Sequence, residues 1–158
     1  MGYPKPKLKN KQDQFKKIVY HLENYHIYKV GIINLQKELD RIMPGITVSY
    51  EIMEGTIGAF CFKSKTEDYA IDRIESKRAL QLHENIAVYK MIVESIDHAL
   101  EFLDEKEREY VIYRYIEKQP VYKAAELMSY SDRQTLNIKK KVQEKLLMSL
   151  ANIIHIDV

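Results

Sequence analysis

A basic segment near the C-terminus carries the side chains of this chain that are best suited to binding a partner. Its candidate contact residues are Ser131, Asp132, Arg133, Gln134, Leu136, Asn137, Lys140 and Lys141. Arginine bonds to the guanine edge, asparagine or glutamine to the adenine edge, and lysine to phosphate oxygens, while an apolar side chain can touch a thymine methyl group. Placed on one helix, these residue types predict a surface that reads the major groove of double-stranded DNA.

Three helices are predicted around this segment, with a tight turn at residues 129–130. The helices span residues 104–117, 120–128 and 131–150. Asp104 can accept hydrogen bonds from the amides of a helix start, and Pro120 suits a first helical position because it has no N–H to leave unpaired. Ser131 and Gln134 have the spacing of a capping box, so we expect them to fix the start of the third helix.

The apolar residues of this region recur at steps of three and four, which predicts a trihelical core. The predicted core positions are Val111, Tyr115, Val121, Ala124, Leu127, Thr135, Ile138, Val142 and Leu146. Ala125 is small where two helices must approach closely. The spacing and the turn together indicate a helix-turn-helix.

The same residues resemble region four of bacterial sigma factors, the part that reads the minus-35 promoter element. The matching positions are Leu103, Glu107, Arg108, Glu109, Arg114, Tyr115, Ala125, Met128, Ser131, Lys145 and Leu146. Ser129 stands where the family usually has glycine, and Pro120 where it has serine or threonine. Leu136 stands where the family often has arginine, which would exchange a polar contact for one with a thymine methyl group.

The layout of the whole chain resembles the phage late-gene transcriptional activators of the RinA/ArpU type, which join a variable helical half to a sigma-like half. The supporting segments are LENY at residues 22–25, LDRIMPG at 39–45 and SKTE at 64–67. This resemblance implies a promoter-binding activator in a bacterial host. Its N-terminal half would supply dimerisation or a contact with host RNA polymerase.

The upstream half of the chain predicts two long helical segments. One apolar stripe runs from Phe15 to Ile42 and stops at a Met-Pro-Gly sequence, with Gly31 as a candidate interruption. A second stripe, at steps of four and three, consists of Leu82, Ile86, Tyr89, Val93, Ile96, Leu100 and Leu103. This spacing is typical of a coiled-coil seam, so we expect the helices to pair as an antiparallel hairpin, to form a homodimer, or both. Between them, residues 43–65 are interpreted as a loop, with a small β-hairpin equally compatible.

The predicted organisation is therefore all-α, in three parts. Residues 1–14 form a basic flexible tail, which could instead be an arm that contacts phosphates. Residues 15–102 form a helical scaffold or oligomerisation region, and residues 103–158 form the helix-turn-helix domain. The net charge of +2 over 158 residues is too small to indicate nucleic-acid binding by itself, so the clustering of lysines carries that inference.

Several function classes find no support in the sequence. No phosphate-binding loop, dinucleotide fingerprint, nucleophile elbow or zinc-protease motif is present, so no catalytic residue and no cofactor are expected. The five histidines and the single cysteine, Cys61, lack the spacing of metal ligands. No apolar run reaches the roughly eighteen residues of a membrane span and no signal peptide is visible, which favours the cytoplasm.

Two functions from different classes remain at this point. The first is a transcriptional activator of phage or prophage late genes. The alternative is a phage small terminase subunit, which binds a packaging site as a ring. Small terminases usually carry the helix-turn-helix before their oligomerisation helices, whereas this chain has the opposite order, so the activator is the preferred hypothesis.

Overall fold

The computed structural model of the protein describes residues 11–43 and 65–157. Within these ranges all regular secondary structure is helical, and the predicted all-α class is confirmed. The helices are α1 (Lys11–Glu23), α2 (Tyr25–Ile42), α3 (Lys65–Phe102), α4 (Glu105–Val111), α5 (Val121–Met128) and α6 (Asp132–Ser149), and α4 runs on into a π-helical turn, Ile112–Ile116. Residues 1–10 of the predicted tail and residues 44–64 of the predicted loop lie outside the described residues.

The three C-terminal helices begin close to their predicted positions, and local chemistry explains each start. The backbone N–H of Asp104 donates to Oε2 of Glu107 over 3.2 Å, which pairs one otherwise unbonded amide at the start of α4. Pro120 has an extended backbone, with ψ of 156°, so it is the N-cap of α5 and not its first residue as predicted. Its carbonyl accepts from the N–H of Ala124 over 3.0 Å. The predicted capping box of Ser131 and Gln134 is confirmed.

The turn between α5 and α6 has a left-handed backbone at Ser129, with φ of 56° and ψ of 38°. This conformation lets the N–H of Tyr130 bond to the carbonyl of Ala125 over 3.0 Å, which pairs a carbonyl at the end of α5. Glycine adopts it without steric cost, whereas a residue with a Cβ atom is strained there. The serine at this position therefore carries a strain that glycine would relieve.

Most of the predicted trihelical core is buried. Its fully or nearly fully buried members are Val111, Tyr115, Ala124, Thr135, Val142 and Leu146, and Ile138 is half-buried. Two predictions were wrong, because Val121 and Leu127 are 37% and 46% exposed. The eight-residue α5 instead buries Ala124, Ala125 and Met128.

The described residues divide into two compact units, and the division falls within α2 and α3. The first unit contains the described residues up to Lys29 together with those from Lys90 onward. In it, α1 packs on α6 and on the π-helical turn, with the rings of Phe15 and Tyr115 edge to face at 5.9 Å. Ile18 and Leu22 are completely buried. Residues 11–14, predicted to belong to a flexible tail, lie in α1.

The second unit, residues Val30–Tyr89, contains most of α2 and the first part of α3. A Cβ atom added to Gly31 would lie 2.9 Å from the ring of Tyr89, and Arg78 donates to Glu38 over 2.6 Å. Residue numbers rise along α2 as they fall along α3, so the two segments are antiparallel. Helix α2 continues through Gly31, contrary to the predicted interruption, and the break between α1 and α2 lies at Asn24.

The apolar stripe of α3 is covered within a single chain. Ile86, Val93, Ile96 and Leu103 are buried, and the remaining stripe residues are half-buried. A homodimer formed through this stripe would need its apolar residues to be exposed, so the stripe does not support the predicted homodimer. No helix in the described ranges is long and apolar enough to cross a membrane.

Candidate nucleic-acid interface

Helix α6 has one buried face and one polar face. Thr135, Val142 and Leu146 are almost inaccessible and anchor the helix against the rest of its unit. All eight predicted contact residues are exposed, namely Ser131, Asp132, Arg133, Gln134, Leu136, Asn137, Lys140 and Lys141. The predicted site residues therefore lie together at the N-cap and over about three turns at the start of one helix, away from the core.

The capping box limits which hydrogen bonds Ser131 and Gln134 can make with a partner. The N–H of Ser131 donates to Oε1 of Gln134 over 3.1 Å, and the Ser131 hydroxyl accepts from the N–H of Gln134 over 3.4 Å. Thr135 donates its hydroxyl proton to the Ser131 carbonyl over 3.0 Å. Because the side-chain carbonyl oxygen of Gln134 accepts hydrogen bonds within the cap, its amide NH₂ is the group that can donate to a base.

Arg133 and Asn137 are one helical turn apart on the exposed face. Neither side chain makes a hydrogen bond or ion pair with the part of the chain that the structure describes. Arginine carries five N–H donors in a planar fork, and asparagine carries one acceptor and two donors. Polar groups of this kind, exposed and without internal partners, are available for bidentate contacts with base edges.

Lys145 belongs to the structural support of α6 and not to its outer face. Its Nζ donates to Oε2 of Glu107 over 2.6 Å and lies 3.7 Å from Oδ2 of Asp104. Glu107 is only 4% exposed. The hydrogen bond to Glu107 raises the pKa of Lys145 above its ordinary value. This pair fastens α6 to the start of α4.

Arg108, another residue of the sigma-like pattern, fastens α4 to the end of α3. Its Nε donates to the carbonyl of Leu100 over 2.8 Å, and its guanidinium also donates to the carbonyls of Glu101 and Leu103 over 3.3 and 3.2 Å. These carbonyls lie at and just after the end of α3, where the regular hydrogen bonds of the helix stop, and the Leu100 carbonyl also accepts from the N–H of Leu103 over 3.3 Å. Glu107 and Arg108, the E-R residues of the sigma-like pattern, therefore hold α4 to its neighbouring helices in this protein.

Helix α5 contributes exposed residues that the sequence analysis did not select. Tyr122 is 72% exposed at the start of this helix, and Lys123 pairs with Glu126 over 2.9 Å. In helix-turn-helix proteins, the helix before the recognition helix crosses the DNA backbone, and its amino end faces phosphates. Pro120 in the sequence marked this helix start and was the signal that could have identified Tyr122.

The described residues contain no group of three histidine, cysteine or carboxylate side chains placed to hold a metal ion. Comparison with protein-family models, with curated proteins and with solved structures finds no match to this chain.

Proposed function

We propose that the protein is a sequence-specific DNA-binding transcriptional activator of phage or prophage late genes. In this proposal α5, the turn at Ser129 and α6 act as a helix-turn-helix, with α6 in the major groove of promoter DNA. The observation that carries the proposal is the exposed, internally unpaired Arg133 and Asn137, one turn apart near the start of a helix whose opposite face is buried. The resemblance to sigma factor region four and to the RinA/ArpU type of activator supports the choice of promoter DNA.

The proposed mechanism divides the contacts by role. Arg133, Asn137 and the Gln134 amide would bond to base edges, and Leu136 would touch a thymine methyl group. Lys140 and Lys141 would neutralise phosphates and fix the register without reading sequence. Activation further requires a contact with host RNA polymerase, so the protein would act in the cytoplasm of the bacterial host.

A homodimer remains part of the proposal for a reason independent of the α3 stripe. Helix-turn-helix proteins commonly bind two half-sites about one helical turn of DNA apart, and the symmetry of the site mirrors that of the protein dimer. Sedimentation of the full chain with and without a bound duplex measures the stoichiometry. Two chains per duplex support the dimer, one chain per duplex contradicts it, and a ring of eight or more chains favours the packaging alternative.

The experiment that tests the proposed function is in vitro selection of bound duplexes from a random pool, followed by footprinting on the late region of the phage genome. We expect enrichment of one motif and protection of a matching promoter site. A pool that stays random after repeated rounds, with the protein folded, would contradict sequence-specific binding.

A further inference from the structure

A cleft between α1, the π-helical turn and α6 is lined by positively charged side chains and lies beside the candidate interface. Its volume is about 330 Å³, and Lys16, Arg114 and Lys139 line it from these three elements. No carboxylate is among its lining residues. Three cations from distant parts of the sequence thus face one open space that contains no compensating anion.

The remaining polar lining of this cleft also suits an anion. Gln12 of α1 and Gln143 of α6 contribute side-chain amides, which can donate hydrogen bonds to oxygen atoms. The apolar base includes the edge-to-face rings of Phe15 and Tyr115 at 5.9 Å. Cationic and amide donors are groups that contact backbone phosphates in protein–DNA complexes.

The three cations differ in how firmly they are held. Arg114 donates from one guanidinium nitrogen to the Gln119 carbonyl over 3.2 Å, and its guanidinium lies 5.6 Å from the centre of the Tyr115 ring. These contacts orient the group and leave its other N–H donors for a ligand. Lys139 is half-buried and makes no ion pair with described residues.

Lys16 forms only a weak ion pair within its own helix. It lies 3.6 Å from Asp13 with both side chains well exposed, and ion pairs of this kind contribute little in water. The positive charge of the cleft is therefore available to an external anion, and binding one would relieve the repulsion among the three cations.

The position of the cleft relative to α6 indicates which anion it meets. Lys139 lies one helical turn after Leu136, and Gln143 one turn after Lys140, so the cleft borders the edge of the helix face that carries these predicted contact residues. A helix in the major groove is bordered by the sugar-phosphate backbone on both sides. We propose that this cleft binds one phosphate of the DNA backbone, which makes α1 part of the DNA interface; this proposal rests on the proposed function.

The test measures how DNA affinity depends on salt concentration in the full-length protein and in variants that replace two lysines with uncharged glutamines. The variant Lys16→Gln with Lys139→Gln removes two of the three cations, and Lys37→Gln with Lys90→Gln is a control that loses the same charge from exposed helix positions outside the cleft. The probe is a fluorescent mixed-sequence duplex titrated at several KCl concentrations. Unfolding midpoints of all variants show whether they remain folded, and Lys16→Gln alone serves if the double variant does not.

Each neutralised phosphate contributes about 0.9 to the magnitude of the slope of log affinity against log salt. Because one phosphate is held by all three cations together, we expect the double variant to lose that contact and to lower the slope by about 0.9, while the control keeps the parental slope. An unchanged slope, an equal fall in the control, or a fall of about 1.8, which indicates two separate phosphates, would each overturn the shared site. Parental protein that binds no duplex at all would instead defeat the proposed function itself.

Discussion

Lys145 on α6 donates a hydrogen bond over 2.6 Å to Glu107, a nearly buried carboxylate at the start of α4. The same Glu107 oxygen accepts from the backbone N–H of Asp104, so one side chain closes the start of α4 and holds α6 in place. The orientation of α6 thus depends on a residue that would not contact DNA.

Replacing Glu107 with alanine should therefore destabilise the protein. The change removes a hydrogen bond to a charged partner and a bond to a helix-start amide, and we expect the free energy of unfolding to fall by about 1 to 3 kcal/mol. Urea denaturation measures it. Glu109→Ala, a change in the same motif at a residue whose side chain makes no hydrogen bond to described residues, is the control. Equal losses in both variants would show that the pair has no special role.

Ser129 holds a left-handed backbone that glycine adopts without strain. We expect Ser129→Gly to raise the free energy of unfolding by roughly 0.5 to 1 kcal/mol, because relief of the Cβ clash outweighs the added freedom of the unfolded chain. Ser129→Ala keeps the Cβ atom and should give no such gain. Thermal unfolding of the two variants separates the cases, and a gain in the alanine variant would refute the strain.

We expect His21 to make the stability of the first unit depend on pH. Burial lowers the pKa of His21, and hydrogen bonds to the backbone of Ile153 and Ile156 oppose this shift only in part. The folded protein therefore favours the neutral ring, whereas the unfolded chain takes up a proton near its ordinary pKa of 6.5. The free energy of unfolding should consequently fall as the pH drops below about 6.5.

The variant His21→Gln tests this dependence. It loses the contact between the imidazole and the Tyr28 hydroxyl, which is 2.8 Å long, so its stability should be lower at neutral pH. Its profile of stability against pH should nevertheless be flatter than that of the parent between pH 7 and 5. His155→Gln, at an exposed position, should keep the parental profile. A variant of His21 with the parental pH dependence would exclude this histidine as the cause.

The sequence predicted those parts of the fold that depend on local chemistry. The capping residues Ser131 and Gln134 and the proline at position 120 mark helix starts within one residue of those observed. The exposed face of α6 followed from helical periodicity, because its apolar residues recur every three or four positions. Val121 and Leu127 fit the same periodicity but are exposed, since α5 is too short to bury more than one narrow face.

Long-range packing could not be read from the sequence. Nothing local in residues 11–23 indicates that they pack on α6, more than a hundred positions later, and the resulting cleft with Arg114 and Lys139 went unnoticed. A segment starting at residue 104 would lack this packing and is not a complete unit. The π-helical turn was also missed, because the extra residue that closes the bond from the N–H of Glu117 to the carbonyl of Ile112 leaves the apolar pattern helical.

Lys140 and Lys141 are exposed and make no ion pair with the described residues, so their charges are available to phosphates. We expect each change to alanine to lower the magnitude of the log-log salt slope by about 0.9 and to weaken binding to all duplexes alike. Lys77→Ala, at an exposed position on α3, is the matched control. If the double variant of Lys140 and Lys141 retained the parental slope, these lysines would be solvated and not in contact with DNA.

The most direct test of sequence reading by α6 is a competition gel shift with Arg133→Ala and Asn137→Ala. The labelled probe is the duplex obtained by selection with the parental protein, and the competitor is unlabelled DNA of scrambled sequence. Asn34→Ala, at an exposed position on α2, is the control. We predict that each α6 variant loses about 1 to 3 kcal/mol of specific binding, with little change in affinity for the scrambled duplex. Parental selectivity in both variants would contradict the central claim that these two side chains read DNA bases.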